Sequence, residues 1–377
     1  MNSTQWLKKT SIILLLILLT ILLVNYIIDP YGIYNSNFFK FQKITQSEKM
    51  RFIKPLIVQN IKPKSIVLGT SRAEHGYSTD HKYFKKPTYN FGLTSASMYE
   101  ATSNLKYAIK QGRLEQVLLV LDYRMFNDKN QKQVKDFEHY FDGSRGKYYY
   151  LYSLDTFKDT LRTIFKTYKP FFLYHKNGSI VHEFEMKKLK KLGSQLLSMS
   201  GYERNYYKLL KKEYIYKDTK KSSFKDFEEL LELCYKNDIE LDIIFGPSHI
   251  RQWEALAYYL GEETFSNWKR DIVKEVEKVA KKLHKKPYKI IDFAIYHKLT
   301  SEKMPSDKNQ TMQYYYDSSH YNQKLGNLVL NSLIDKNRIK GFGVEISSKN
   351  IEQHLKHQKD IKKEFIDVSC YREEVFN

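Results

Sequence analysis

The sequence predicts an α/β protein built on a doubly wound parallel sheet, with an inserted helical subdomain and one N-terminal transmembrane helix. Three observations predict it. Short apolar runs alternate with longer segments whose apolar residues recur every three to four positions, the signature of strands and helices in turn. One run, Gln116-Val117-Leu118-Leu119-Val120-Leu121-Asp122, is continuously apolar between its ends, as a central parallel strand covered on both faces must be. Residues 11–28, SIILLLILLTILLVNYII, carry no charge at all.

That uncharged run is long enough to cross a bilayer, which takes roughly 17–25 apolar residues. A cleaved signal peptide would have a shorter apolar region and a small-residue cleavage site, and Val24-Asn25-Tyr26-Ile27-Ile28-Asp29-Pro30 offers none. Residues 1–10 are therefore read as a short cytoplasmic tail and 11–28 as an uncleaved single-pass anchor. Lys8 and Lys9 favour a cytoplasmic N-terminus, with Lys40 and Lys43 opposing them. This puts the body of the protein outside the cytoplasmic membrane, in a periplasm or at the cell surface.

After a turn at Asp29-Pro30-Tyr31-Gly32, residues 45–60 read as a helix containing Pro55. Strands are expected at 65–68 and 88–91. Between them and the 116–122 strand, Met98, Ala101, Leu105, Ala108 and Ile109 mark a helix over 97–111. A helix capped by Ser223, with Phe224, Phe227, Leu230, Leu231 and Cys234 on its apolar face, ends near Asn237. A strand at 239–245 breaks at Gly246-Pro247. A helix over 264–285 follows, then a fifth strand at 289–293. Residues 128–222 interrupt the alternation with helical stretches near 151–168 and 185–213. That interruption is too long for a structureless loop, so it is read as an inserted helical subdomain that lines or covers a site. Residues 29–340 form the main domain, and the polar residues 341–377 read as a loosely attached tail.

The formal charge is +20, from 63 basic and 43 acidic residues. Such a field attracts anionic partners, but no zinc-finger spacing, helix-turn-helix or RNP-like run accompanies it, so nucleic acid is not expected as a partner. Cys234 lies in an expected helix and Cys370 in the polar tail, which argues against a disulfide between them. His354 and His357 sit at helical spacing without an acidic or cysteine partner, so no metal site is expected there. No cofactor is called for.

Chemistry is expected from two separated pieces. Gly69-Thr70-Ser71-Arg72 follows a buried strand directly, and ligands of parallel sheets bind beyond the carboxyl ends of strands. A serine hydroxyl needs an adjacent base to act as a nucleophile. Asp317-Ser318-Ser319-His320 supplies one: at helical i, i+3 spacing the aspartate fixes the imidazole tautomer and frees the other nitrogen for the serine proton. Arg72, Arg124 and His249 also follow strand ends and are candidates for contacting substrate. The Tyr314-Tyr315-Tyr316 run could line a sugar cleft or simply pack. Asn177-Gly178-Ser179 matches a glycosylation acceptor pattern.

Serine after the first strand, D-x-x-H after the last and a doubly wound pattern between them resemble the SGNH/GDSL hydrolase superfamily, over about residues 60–335. The resemblance implies a flavodoxin-like SGNH fold with Ser71 as nucleophile and Asp317 and His320 completing a triad. It implies the amides of Ser71 and Gly92 as oxyanion donors, from the family's second block matched by Asn90-Phe91-Gly92-Leu93, with Asn90 as a candidate substrate contact. The match departs from the family twice: G-D-S becomes Gly69-Thr70-Ser71, and the third-block asparagine has no counterpart in Leu121-Asp122-Tyr123-Arg124. In this form the chain looks like the membrane-attached branch that includes D-alanyl transfer proteins and relatives of alginate O-acetyltransferases. That likeness implies O-acyl transfer or ester hydrolysis on an extracytoplasmic glycan or cell-envelope polymer, with a membrane-bound acyl exporter as a partner. Two other readings stay open. One is a catalytically inactive SGNH-like module that binds glycan or a lipid-linked intermediate; the other is a tethered basic scaffold for anionic lipid or polymer.

Overall fold

Five strands form where the sequence predicts them, β1 (Ser65–Leu68), β2 (Thr88–Asn90), β3 (Gln116–Leu121), β4 (Glu240–Phe245) and β5 (Lys289–Asp292), and a sixth, β6 (Val344–Ile346), lies in the residues read as a tail. They make one six-stranded sheet in the order β2-β1-β3-β4-β5-β6, parallel except for β6. The computed structural model describes residues 2–36, 38–127, 130–142, 146–305, 307, 310–335 and 338–377. Residue 1 of the expected tail and residues 128–129 and 143–145 of the expected insertion lie outside them.

In chain order the helices are α1 (Ser3–Ile28), α2 (Gln46–Ile61), α3 (Ser71–Gly76), α4 (Met98–Lys110) and α5 (Tyr123–Phe126). Then come α6 (Tyr149–Tyr152), α7 (Leu154–Phe165), α8 (His182–Leu192), α9 (Gln195–Asn205) and α10 (Ser223–Lys236). The remainder are α11 (Ile250–Leu260), α12 (Thr264–Lys282), α13 (Gln323–Ile334), α14 (Ile351–Phe365) and α15 (Val368–Phe376).

The chain divides into two compact units. The larger, residues 61–135 and 177–377, holds the sheet. Every residue of β3 is buried, as its unbroken apolar run requires. Alternate residues point to opposite faces. Val67, Leu118, Val120, Ile244 and Ile291 share a core with Leu325, Val329 and Leu330 of α13, whereas Phe245 meets the ring of Trp268 on α12. Helices therefore cover both faces. The Ser97 and Glu100 side chains close a reciprocal capping box at the start of α4. At α10 the cap is Ser222, one residue earlier than expected. Its hydroxyl accepts from Phe224 N, leaving Ser223 Oγ to donate to Phe126 O at 2.8 Å.

Because β2 lies on one side of β1 and β3 on the other, the chain reverses its winding between β1 and β3. Ligand crevices of open α/β sheets lie at such a point. Ser71 follows β1 there, and Asp122 follows β3.

The smaller unit comprises residues 1–60 and 136–176. The 128–222 segment is thus not one subdomain: residues 136–176 belong with α1 and residues from 177 onward with the sheet. Hydrogen bonds explain the first half's allegiance. Tyr31 donates to Asp159 at 2.7 Å, Tyr34 to the Lys147 carbonyl at 2.5 Å, and Asn25 Nδ2 to the Leu151 carbonyl at 2.9 Å. α1 is long and apolar enough to span a bilayer, with a mean hydropathy of 2.9 over its most apolar window. Its helix begins at Ser3, so the residues expected as a tail continue it. It ends at Asp29, whose carboxylate accepts the Ile33 and Tyr34 amides and closes the expected turn.

The C-terminal residues are not a loose tail. β6 pairs antiparallel with β5, and α14 buries Ile351, His354 and Leu355. Tyr371 of α15 donates to the Arg251 carbonyl at 3.0 Å. His354, read from sequence as lacking an acidic partner, lies 2.8 Å from Asp292 Oδ2, which Lys269 Nζ also meets at 2.6 Å. The partner stands 62 residues earlier in the chain, at the end of β5, where local spacing gives no sign of it.

Candidate functional site

Gly69 turns the chain off β1. Its φ of +149° is one L side chains rarely adopt, and a Cβ there would come within 2.8 Å of the Val120 carbonyl. Thr70 then caps α3, accepting from Arg72 N, and Ser71 occupies the first helical position. Ser71 Oγ lies 2.8 Å from His320 Nε2, and His320 Nδ1 lies 2.8 Å from Asp317 Oδ2. A carboxylate accepts, so Nδ1 carries the proton and Nε2 receives the Ser71 O–H. In this chain of groups His320 can take the Ser71 proton while Asp317 holds the imidazole tautomer and faces the charge that develops on it. All three side chains are largely buried.

Asp317 and His320 sit on a tight turn and not on a helix. Asp317 Oδ1 accepts from Ser319 N at 2.7 Å and from His320 N at 2.8 Å, and an antiparallel bridge between Tyr315 and Tyr321 closes the base. Aspartate makes such side-chain-to-backbone bonds readily outside helices, so the same D-x-x-H spacing serves a loop equally well.

Arg72 and Asp122 brace this geometry. The guanidinium pairs with Asp122 at 2.8 Å and donates from Nε to Ser319 Oγ at 3.0 Å, tying the ends of β1 and β3 to the turn that carries His320. Burial opposes the Arg72 charge, but Asp122 together with Tyr207, Tyr206 and Tyr321 outweighs it and the Arg72 pKa is raised. Thr70 Oγ1 donates to the other Asp122 oxygen at 3.0 Å. Arg72, expected as a contact for an anionic substrate, is thus already paired within the protein. Arg124 is half-buried, donates to Ser95 Oγ at 2.6 Å and stacks over the Tyr206 ring.

Two other candidates for substrate contact are buried and hydrogen-bonded within the protein. Asn90 is fully buried; its Nδ2 donates to the Ala73 and Tyr77 carbonyls, and its Oδ1 accepts from Gly92 N at 3.2 Å. It pins α3 to the end of β2. His249 is buried as the N-cap of α11, with Nε2 against the Glu302 carbonyl at 2.9 Å. Burial pushes its pKa down to about 4. The Gly92 amide, expected at an oxyanion, faces Asn90 Oδ1 in this state and must share its hydrogen or turn to serve there.

Several residues around Ser71 and His320 escaped the sequence reading. His75, one helical turn after Ser71, packs its ring 4.9 Å from that of His320. Burial, followed by the charge of His320, holds its pKa well below the usual histidine range. Tyr202 of α9 packs 5.5 Å from His320, and the charge of Asp317, then burial, raises its pKa. His182 Nδ1 is hydrogen-bonded to the Tyr316 hydroxyl. α8 and α9, from the expected insertion, therefore line the site. Only the i, i+4 spacing of Ser71 and His75 was visible in the sequence. Among the described residues no cluster of His, Cys, Asp and Glu could hold a metal ion.

No known family model matches the chain, and no curated protein matches it either.

Proposed function

We propose that the protein is a membrane-anchored serine esterase or O-acyltransferase of SGNH type, acting on an extracytoplasmic glycan or cell-envelope polymer. The observation that carries the reading is the Ser71–His320–Asp317 chain, with links of 2.8 Å and 2.8 Å at the winding reversal of the sheet. In the proposed reaction Ser71 Oγ attacks an ester carbonyl as His320 Nε2 takes its proton. His320 then returns that proton to the departing alcohol, leaving an acyl ester on Ser71. Water or a sugar hydroxyl, deprotonated by His320, then attacks the acyl ester; the bond to Ser71 Oγ breaks, His320 returns the proton to Ser71, and the acid or the new ester leaves. The amides of Ser71 and Gly92 are the proposed oxyanion donors, each worth about 3 kcal/mol. The net positive charge suits an anionic polymer as acceptor, and an acyl exporter in the same membrane would supply the donor.

A second reading, an inactive module that binds glycan or a lipid-linked intermediate, is favoured by two features. The Gly92 N–H is engaged by Asn90, and the end of β3 offers the acceptor Asp122 where the family has an asparagine donor. Hydrolysis of p-nitrophenyl acetate by the full chain in detergent separates the two. The enzyme reading requires turnover that falls by about 10³ or more in Ser71→Ala and His320→Gln. Turnover unchanged by both substitutions would remove these residues from the chemistry.

A further inference from the structure

α7 is built inside out. Its buried face is Thr156, Asp159, Thr160 and Thr163, while Leu154 (70% exposed), Leu161 (38%) and Phe165 (68%) point outward. A helix on a water-soluble surface has the reverse arrangement. Exposed Tyr149 and Tyr152 lie just before it on α6, and Lys158 shares its outer face.

α1 says what covers this face. Its uncharged run, residues 11–28, spans about 27 Å as a helix, close to the ~30 Å hydrocarbon thickness of a bilayer. Residues 11–20 are exposed around the helix and account for about 15 Å, half of that thickness. The other half, from Ile21 to Ile28, buries Ile21, Asn25 and Ile28, and α1 packs there against α6 and α7. If α1 crosses the membrane, α6 and α7 stand within the leaflet at its C-terminal end. Asn25 agrees with that depth: its amide donates to the Leu151 carbonyl at 2.9 Å and accepts from Thr160 Oγ1 at 2.8 Å. In hydrocarbon an asparagine needs such partners, since water cannot supply them.

We infer that α6 and α7 form a second membrane-binding element, lying in the interface of one leaflet. Leu154, Leu161 and Phe165 enter the acyl-chain region, Tyr149 and Tyr152 lie at headgroup level, and Lys158 reaches out to lipid phosphates. The inference rests on the reading of α1 as a membrane span, and it gives the first unit a second contact with the bilayer beside α1.

The test uses the full chain with Cys370→Ser and single cysteines at Leu161→Cys, Phe165→Cys, and Leu16→Cys within α1; Cys234 is buried. Each is labelled with an environment-sensitive fluorophore in vesicles of phosphatidylcholine and phosphatidylglycerol. Quenching by spin-labelled acyl chains is compared with quenching by aqueous iodide. At positions 161 and 165 the lipid-borne quencher should win several-fold, as it does at position 16. Lipid quenching at 16 with iodide quenching at 161 and 165 overturns the inference and leaves the anchor standing. Iodide quenching at all three defeats the anchor reading itself. Shielding of 161 and 165 from both quenchers assigns the face to a protein contact and also overturns the inference.

Discussion

Replacing Arg72 by methionine should destabilise the sheet unit and disable the serine for separable reasons. The substitution keeps the aliphatic stem but leaves Asp122, 4% exposed, without its guanidinium partner. Breaking a buried pair by removing one member costs about 3–5 kcal/mol, because the survivor is a desolvated charge. Asp122 keeps hydrogen bonds from Thr70 Oγ1 and Arg124 N, so the lower end applies, with about 1 kcal/mol more for the lost Nε bond to Ser319. Urea unfolding in detergent, followed by tryptophan fluorescence, measures it; two of the three tryptophans, Trp253 and Trp268, stand in this unit. The double variant Arg72→Met/Asp122→Leu should recover most of the loss, since removing both charges can be nearly neutral. Arg72→Lys keeps the charge but loses the planar fork that reaches both Asp122 and Ser319. It should unfold near wild type while reacting more slowly at Ser71. A double variant whose cost equals the sum of the single ones would refute the pairing argument.

Other outcomes follow from the same geometry. The His249 pKa of about 4 lies below the ~6.5 of an unfolded chain, so the unfolded state binds more protons between those values. Stability should therefore fall as pH drops from about 6.5 to 4, by about 3 kcal/mol in total, and His249→Asn, which keeps a capping side chain, should flatten that slope in urea titrations at stepped pH. A Cβ on Gly326 would come within 1.6 Å of the Gly76 carbonyl, where α13 crosses α3. Gly326→Ala should cost about 1–3 kcal/mol and slow acylation of Ser71 by shifting α3; unchanged unfolding would show that the helices can part freely. His354→Ala should destabilise by about 1–3 kcal/mol, because Asp292 loses a buried hydrogen-bond partner; no change in the urea midpoint would return residues 341–377 to the status of a tail.

The first five strands were legible because each is a short run of strand-favouring residues bounded by glycine, proline or a polar residue, β1 and β3 being continuously apolar inside. β6 was not, since Val344-Glu345-Ile346 is too short to carry a period. α14 hid for a different reason: its core contacts, Ile351, His354 and Leu355, stand among lysines and glutamates, and composition outvotes a narrow stripe. The residues of the Ser71–His320–Asp317 chain were readable from their motifs, but the Asp317 turn was not distinguishable from a helical turn by spacing alone. Asn90 and His249 show the opposite limit. A polar side chain beside a strand end can serve substrate or backbone equally well, and the Ala73, Tyr77 and Glu302 carbonyls that engage these two cannot be read from the spacing. α7 had a readable period, yet which of its faces turns inward depends on Asn25 and Tyr31, more than 120 residues away.

The central claim is that Ser71 is a nucleophile activated by His320. The most direct measurement is intact-mass detection of a fluorophosphonate adduct on the full-length protein, with the labelled peptide sequenced and Ser71→Ala and His320→Gln run alongside. One adduct on Ser71, absent from Ser71→Ala and strongly slowed in His320→Gln, is the predicted result. A folded protein that takes no adduct, or takes it at another residue and retains it in Ser71→Ala, would contradict the claim.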